Sequence, residues 1–259
     1  MEYVEPEEAR NLPGLRLVLT TGVPGPWGEA AKSVFYVKKL DYVPVRQTAS
    51  EPNEALVAWT GHRNAPQAIY ADESPRVSWT EILMLAERLS GEPSLIPAEP
   101  RDRALMFGLT HEIASEDGLA WNRRHQLLAP MLGSPDAETN PALEGGRLLG
   151  SSYGWSAAAV ARSNERICQV LGLLSDQLAA QRRAGREYLV GDALSAVDIY
   201  WATFCALIRP LPAELNPMPD FLRGAYGGLT PEVEAAVDED LIAHRDKIYE
   251  RHLELPLDF

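Results

Sequence analysis

The sequence predicts an α/β unit followed by an all-α unit, and three observations predict it. Strand and helix signals alternate from about residue 14 to residue 91. The stretch EPSLIPAEP at 92–100 then interrupts the pattern with three prolines and no periodicity, the composition of a linker. Beyond it every periodic segment is helical, and no strand-like alternation of useful length intervenes.

The elements follow in order. LRLVLT (15–20) is a short apolar run bounded by turn residues, which suits a buried strand. GEAAKSVFYVKKL (28–40) carries Ala31, Val34, Phe35 and Val37 or Lys38 near helical spacing. YVPVRQ (42–47) reads as a second strand, and SEPNEALVAW as a loop and short helix capped by Ser50 or Asn53. NAPQAIYAD (64–72) is a third strand entered through a proline, and SWTEILMLAERLSG (78–91) a helix ending at Gly91. The first unit therefore reads β-α-β-α-β-(β)-α. In the second unit, Val160, Ile167, Leu171, Leu174 and Leu178 mark one long amphipathic helix. SAVDIYWATFCALI (195–208) is apolar nearly all round, the sign of a central helix, and PEVEAAVDEDLIAHRDKIYERHLEL supplies one or two more.

Composition narrows the function. The 259 residues leave ample length for a core, and 46% hydrophobic with 24% charged residues is ordinary for a globular chain. No apolar run approaches the ~20 residues of a membrane span. The acidic opening, MEYVEPEEARNLPG, lacks the basic-then-apolar order of a secretory signal, so a cytoplasmic setting is expected. A net charge of −13 with no basic stripe argues against nucleic acid as a partner. Cys168 and Cys205 form no CxxC pair and sit in apolar helical patterns, so buried, inert thiols are expected. The five histidines show no metal-binding spacing, and no metal is expected.

Three stretches carry a resemblance to a known family. GPWGEAAK with VKKLDYVPV, NAPQAIY, and YLVGDALSAVDIYWA (188–202) together resemble a cytosolic glutathione transferase. The last contains the family's G-x-x-x-[ST]-x-x-D pattern, in which Ser195 and Asp198 form a capping box at the start of a helix. The resemblance implies a thioredoxin-like N-terminal domain at 14–91 and an all-helical glutathione-transferase C-terminal domain at 101–259. An acidic tail (1–13) would precede them and the 92–100 linker would join them.

What the resemblance implies about chemistry is a site that binds glutathione as co-substrate and favours its thiolate. A free thiol of pKa ~8.5 is mostly protonated at neutral pH. Family members use a helix N-terminus together with a Tyr, Ser or Cys side chain. Here Gly25 stands before Pro26 and supplies no such side chain, as in a bacterial-type member lacking the usual residue. Two alternatives stand. Thr20 or Thr21 donates a hydroxyl hydrogen bond to the sulfur, or the backbone N–H groups of Trp27 and Gly28 hold the thiolate alone. Pro66, normally cis in this fold, turns the Ala65 backbone outward to pair with the cysteinyl part of glutathione. Arg63, beside Asn64, would take the glycyl carboxylate. Thr80 and Glu81 would meet the γ-glutamyl end, although Ser78-x-x-Glu81 is itself a capping-box pattern.

The implied activity is attack of the glutathione thiolate on a small hydrophobic electrophile, with no covalent enzyme intermediate. Met106, Leu109, Thr110, Ile113 and Trp121, with Tyr153 and Trp155, are the candidates to line the electrophile's pocket. The alternative is a binding or scaffold protein that keeps the fold without the thiol chemistry. Homodimerisation follows from the resemblance alone.

Overall fold

The computed structural model describes residues 1–259. Its chain forms two compact units, each built around its own core. The first comprises Met1–Ser94 together with Leu211–Met218 and Glu250–Phe259. The second comprises Leu95–Pro210 and Pro219–Tyr249.

The first unit is organised by a three-stranded sheet in the order β2-β1-β3. β1 (Leu15–Thr20) lies at the centre, parallel to β2 (Val43–Gln47) and antiparallel to β3 (Gln67–Tyr70). Five of its six residues are buried, so it is covered on both faces, as the unbroken apolar run LRLVL requires. Side chains alternate across a strand, and this sends Val18 to one face and Leu17 and Leu19 to the other. On the first face Val18, Val45 and Ile69 pack with Ala9 of α1 (Pro6–Ala9) and Leu56 of α3 (Glu54–Thr60). On the second, Leu19 lies against Gly28 of α2 (Pro26–Val37), which packs on α4 (Trp79–Leu89).

The first thirteen residues take part in this unit. Val4 bridges to Val45 beside β2, and Ala9 is fully buried. The short fourth strand allowed by the sequence is an isolated bridge between Ala68 and Arg76. Asn53 takes the N-cap position of α3 in the left-handed region (φ 52°), but its side chain binds the Thr48 backbone instead of capping the helix. Lys38 is buried where the helical spacing of α2 faces inward, because its ammonium meets the Glu87 carboxylate (2.8 Å) and the Pro93 carbonyl (2.9 Å).

The second unit is built from helices alone: α5 (Pro100–Ala114), α6 (Leu119–Leu132), α7 (Glu144–Ser152), α8 (Ala157–Arg183), α9 (Ala196–Phe204), α10 (Asp220–Gly227), α11 (Pro231–Ala235) and, up to Tyr249, α12 (Glu239–His252). α8 is the long amphipathic helix of the sequence pattern and buries Ile167, Leu171, Leu174 and Leu178. Every residue of α9 is buried, and a 3-10 turn, Cys205–Leu207, continues it. Its start is locked by Asp198, which accepts from the Ser195 and Leu189 N–H groups (3.0 and 2.8 Å) and the Ser195 hydroxyl. His244 of α12 lies 2.8 Å from the same carboxylate, and both side chains are excluded from water.

Candidate functional site

Sheet register brings three chain segments to one end of the first unit. Val18 pairs with Gln67, so Ala65 and Pro66 fall beside the C-terminal end of β1. The Ala65–Pro66 bond is cis. After β3 the chain doubles back, Arg76 pairing antiparallel with Ala68 (2.9 and 2.8 Å), and reaches the same end at Ser78, where α4 begins. β1 leaves that end through a turn at Gly22 (φ +71°) into α2. The N-termini of α2 and α4 therefore flank the Ala65–Pro66 bend. Helix N-termini present unpaired N–H groups and the positive end of the dipole, so this end is suited to anionic groups.

Gly25 is the N-cap of α2 at φ −66°, ψ 127°, a conformation open to any L residue. A Cβ there would meet no atom within 4 Å. Neither backbone nor packing explains the glycine. Gly28 differs, because a Cβ would stand 3.3 Å from Leu19 Cδ2. Its glycine lets the first turn of α2 approach β1 closely. Trp27 is half-buried in that turn.

The two threonines are not equivalent. Thr20 donates its hydroxyl to Gln47 Oε1 at 2.7 Å, so its proton is engaged across the sheet. Thr21 pairs its main-chain N–H with the Gln47 carbonyl (3.0 Å), while its hydroxyl is buried with no hydrogen-bond partner. An unsatisfied buried hydroxyl costs ~1–3 kcal/mol, and a ligand acceptor would relieve it.

Arg63 is half-buried and Asn64 exposed in the loop before the cis bond. Gln67, 1% exposed, holds this loop: its Nε2 donates to the carbonyls of His62 (3.1 Å) and Asn64 (2.6 Å). The main chain of Ala65 enters no hydrogen bond with the rest of the protein.

At α4, Glu81 Oε2 accepts from the N–H groups of Val77 (3.0 Å) and Ser78 (2.9 Å) and from the Ser78 hydroxyl (2.9 Å). The Ser78 hydroxyl in turn accepts from the Glu81 N–H (3.2 Å), completing the capping box. These bonds, the Ser78 amide first, hold the Glu81 carboxyl below the usual carboxylate range. Thr80 shares a 3.1 Å hydrogen bond with the Ser78 hydroxyl.

In the second unit the apolar candidates are part of the packing, and one expectation, a buried Cys168, is corrected. Met106, Leu109, Thr110 and Ile113 are interior residues at 0–2% exposure, and Thr110 donates to the Met106 carbonyl. Trp121 and Tyr153 pack as a tilted pair with ring centroids 4.5 Å apart, Trp121 Nε1 donates to the Tyr153 carbonyl, and Trp155 Nε1 to the His125 carbonyl. These half-buried aromatics are tied to one another and to the main chain of the unit. Cys205 is buried, and burial pushes its thiol up to about 11. Cys168 is only half-buried, because it lies at the margin of the α8 apolar stripe.

Gln47 and Gln67, which fix the threonines and the loop, escape sequence reading. Their sole signal is a polar residue at the end of a short, mostly apolar strand. No group of His, Cys, Asp or Glu side chains is arranged to hold a metal ion.

No protein-family model and no curated protein matches the chain. Solved structures do. A glutathione S-transferase of Methylobacterium radiotolerans, in complex with glutathione sulfonate, is 16% identical over 92% of this chain and 91% of its own, with a TM-score of 0.60. The beta-etherase LigF of Sphingobium sp. is 19% identical over 92% and 96%, at 0.61. The nitrogen regulation fragment of the yeast prion protein Ure2p is 15% identical over 92% and 93%, at 0.58. The chain has the glutathione transferase fold.

Proposed function

We propose that this chain is a glutathione transferase whose bound thiolate attacks a small hydrophobic electrophile. The observation that carries the reading is the meeting of two helix N-termini with the Ala65–Pro66 bend, whose Ala65 main chain is unused by the fold. An extended peptide pairing with Ala65 sets its cysteinyl sulfur toward the first turn of α2. There the N–H groups of Trp27 and Gly28 stabilise the anion, with Thr21 as the second donor because its hydroxyl is otherwise unsatisfied. Thr20 orders the end of β1 through Gln47. Arg63 and Asn64 serve the glycyl carboxylate. The N-terminus of α4, with Thr80 and Glu81, serves the γ-glutamyl group.

In the reaction the deprotonated sulfur forms a bond to an electrophilic carbon, and the leaving group departs with the electron pair of the bond it loses. No residue of the chain becomes covalently modified. Homodimerisation and a cytoplasmic setting belong to the same proposal and rest on the resemblance.

A second reading has its own support. Gly25 offers no side chain to a thiol, and the Glu81 carboxylate is already engaged as a cap. A binding or scaffold protein would need neither. Retention on immobilised glutathione followed by an aryl-halide conjugation assay separates the two. Retention with turnover is the expected result. Retention without turnover selects the binding protein, and failure of both with a folded chain removes glutathione from the account.

A further inference from the structure

A cavity of about 570 Å³ opens in the first unit alongside α2. It lies between one side of α2 from Glu29 to Tyr36, the Lys39–Tyr42 turn and the segment Glu254–Asp258. That volume is in the range of small-molecule sites. Its apolar wall includes Phe35 and Tyr42, with ring centroids 5.8 Å apart, the half-exposed Tyr36, Leu40 and Leu257.

Its charge is unbalanced. Four acidic side chains (Glu29, Asp41, Glu254, Asp258) and two basic ones (Lys32, Lys39) line it. Glu29 is 5% exposed and has both oxygens 3.0 Å from Lys32 Nζ, which also donates to the Asp258 carbonyl. The Asp258 carboxylate is taken by the amino group of Met1. Asp41 and Glu254 have no ion-pair partner in the protein. The acidic groups do not converge as a metal-ion cage would require. Negative charge spread around an aromatic wall suits a larger, partly apolar cation.

We propose that this cavity binds an organic ammonium ion, its apolar body against Tyr36, Tyr42 and Leu40 and its charge facing Asp41 and Glu254. Aromatic faces attract such cations by ~0.5–2 kcal/mol, and the unpaired carboxylates add Coulomb attraction. Burial first, and then the nearby Glu29 and Glu254 carboxylates, hold the Tyr42 phenol well above its usual range, so this wall residue stays a neutral ring.

The test uses the full chain and three probes of similar shape: 2-phenylethylammonium, 2-phenylethanol and 3-phenylpropionate. Calorimetry is expected to show the ammonium binding at least about tenfold more tightly than the alcohol or the acid. Amide NMR shifts should be confined to residues 29–42 and 254–258. Glu254→Gln should weaken binding by about threefold, and the D41N/E254Q pair by about tenfold. Both side chains are exposed, so the fold does not depend on them. The proposal is overturned by no ammonium binding up to about 10 mM, by equal binding of all three probes, by shifts elsewhere, or by undiminished binding in the double variant. Glutathione binding tests the other site and stays unchanged in every case.

Discussion

Single side chains divide the first turn of α2 into a permissive and a restrictive position. Gly25 has open space and an ordinary backbone, so Gly25→Ser should leave the thermal midpoint within the scatter of surface substitutions, about 0.5 kcal/mol. Gly28→Val should cost about 1–3 kcal/mol in urea unfolding, because its carbons would enter the space of the buried Leu19. Equal stability of the two variants would refute the packing argument. The thiols divide in the same way. Cys168 is half-buried and Cys205 buried with its thiol pushed up to about 11, so a disulfide reagent should titrate Cys168 in the native chain and Cys205 only after denaturant. Simultaneous release of both thiols would contradict that order.

Among the elements, α4 shows how a candidate ligand group doubles as a structural one. Hydrogen bonds to the ionised Glu81 lower its folded pKa, so its contribution is present above the unfolded value and fades as pH falls through the folded one. The urea midpoint of the parent should exceed that of Glu81→Gln at pH 7, and the difference should begin to shrink below the ordinary carboxylate value of about 4.3 and disappear only as pH falls through the lowered folded pKa. Ser78→Ala, which removes the reciprocal acceptor, should cost about 1 kcal/mol at pH 7. A difference independent of pH would mean that the carboxylate charge is irrelevant to the cap. α9 is the counterpart with no exposed face. Its Ser195–Asp198 box was legible in the sequence because both partners lie within one turn, whereas His244, forty-six residues further on, carried no local mark.

At the level of the whole chain, the first unit is discontinuous. Leu257 donates its N–H to the Leu215 carbonyl (2.8 Å), and both belong to the strand-containing unit together with Leu253 and Leu257 in its interior. Removing residues 253–259 should therefore destabilise that unit by several kcal/mol, since two buried leucines cost ~2–5 kcal/mol each. Hydrogen exchange should report the loss in β1 and α2 and spare α8, and protection unchanged in β1 would refute the assignment. The sequence reveals the sheet, because LRLVLT, YVPVRQ and QAIY are local patterns with a proline at the right entry. It reveals the long stripe of α8 for the same reason. It leaves the return of the last ten residues hidden, as PLDF has no period and its partners are far away along the chain. The site is half legible: the turn before α2 and the Ala65–Pro66 bend are written in punctuating residues, while the glutamines that tie them down act through space. A ribosome releases the sheet long before it has made the strip that seals it. The nascent N-terminal part must wait, incompletely covered, until that strip has been made, so production should depend on chaperones during synthesis more than on the speed of helix formation.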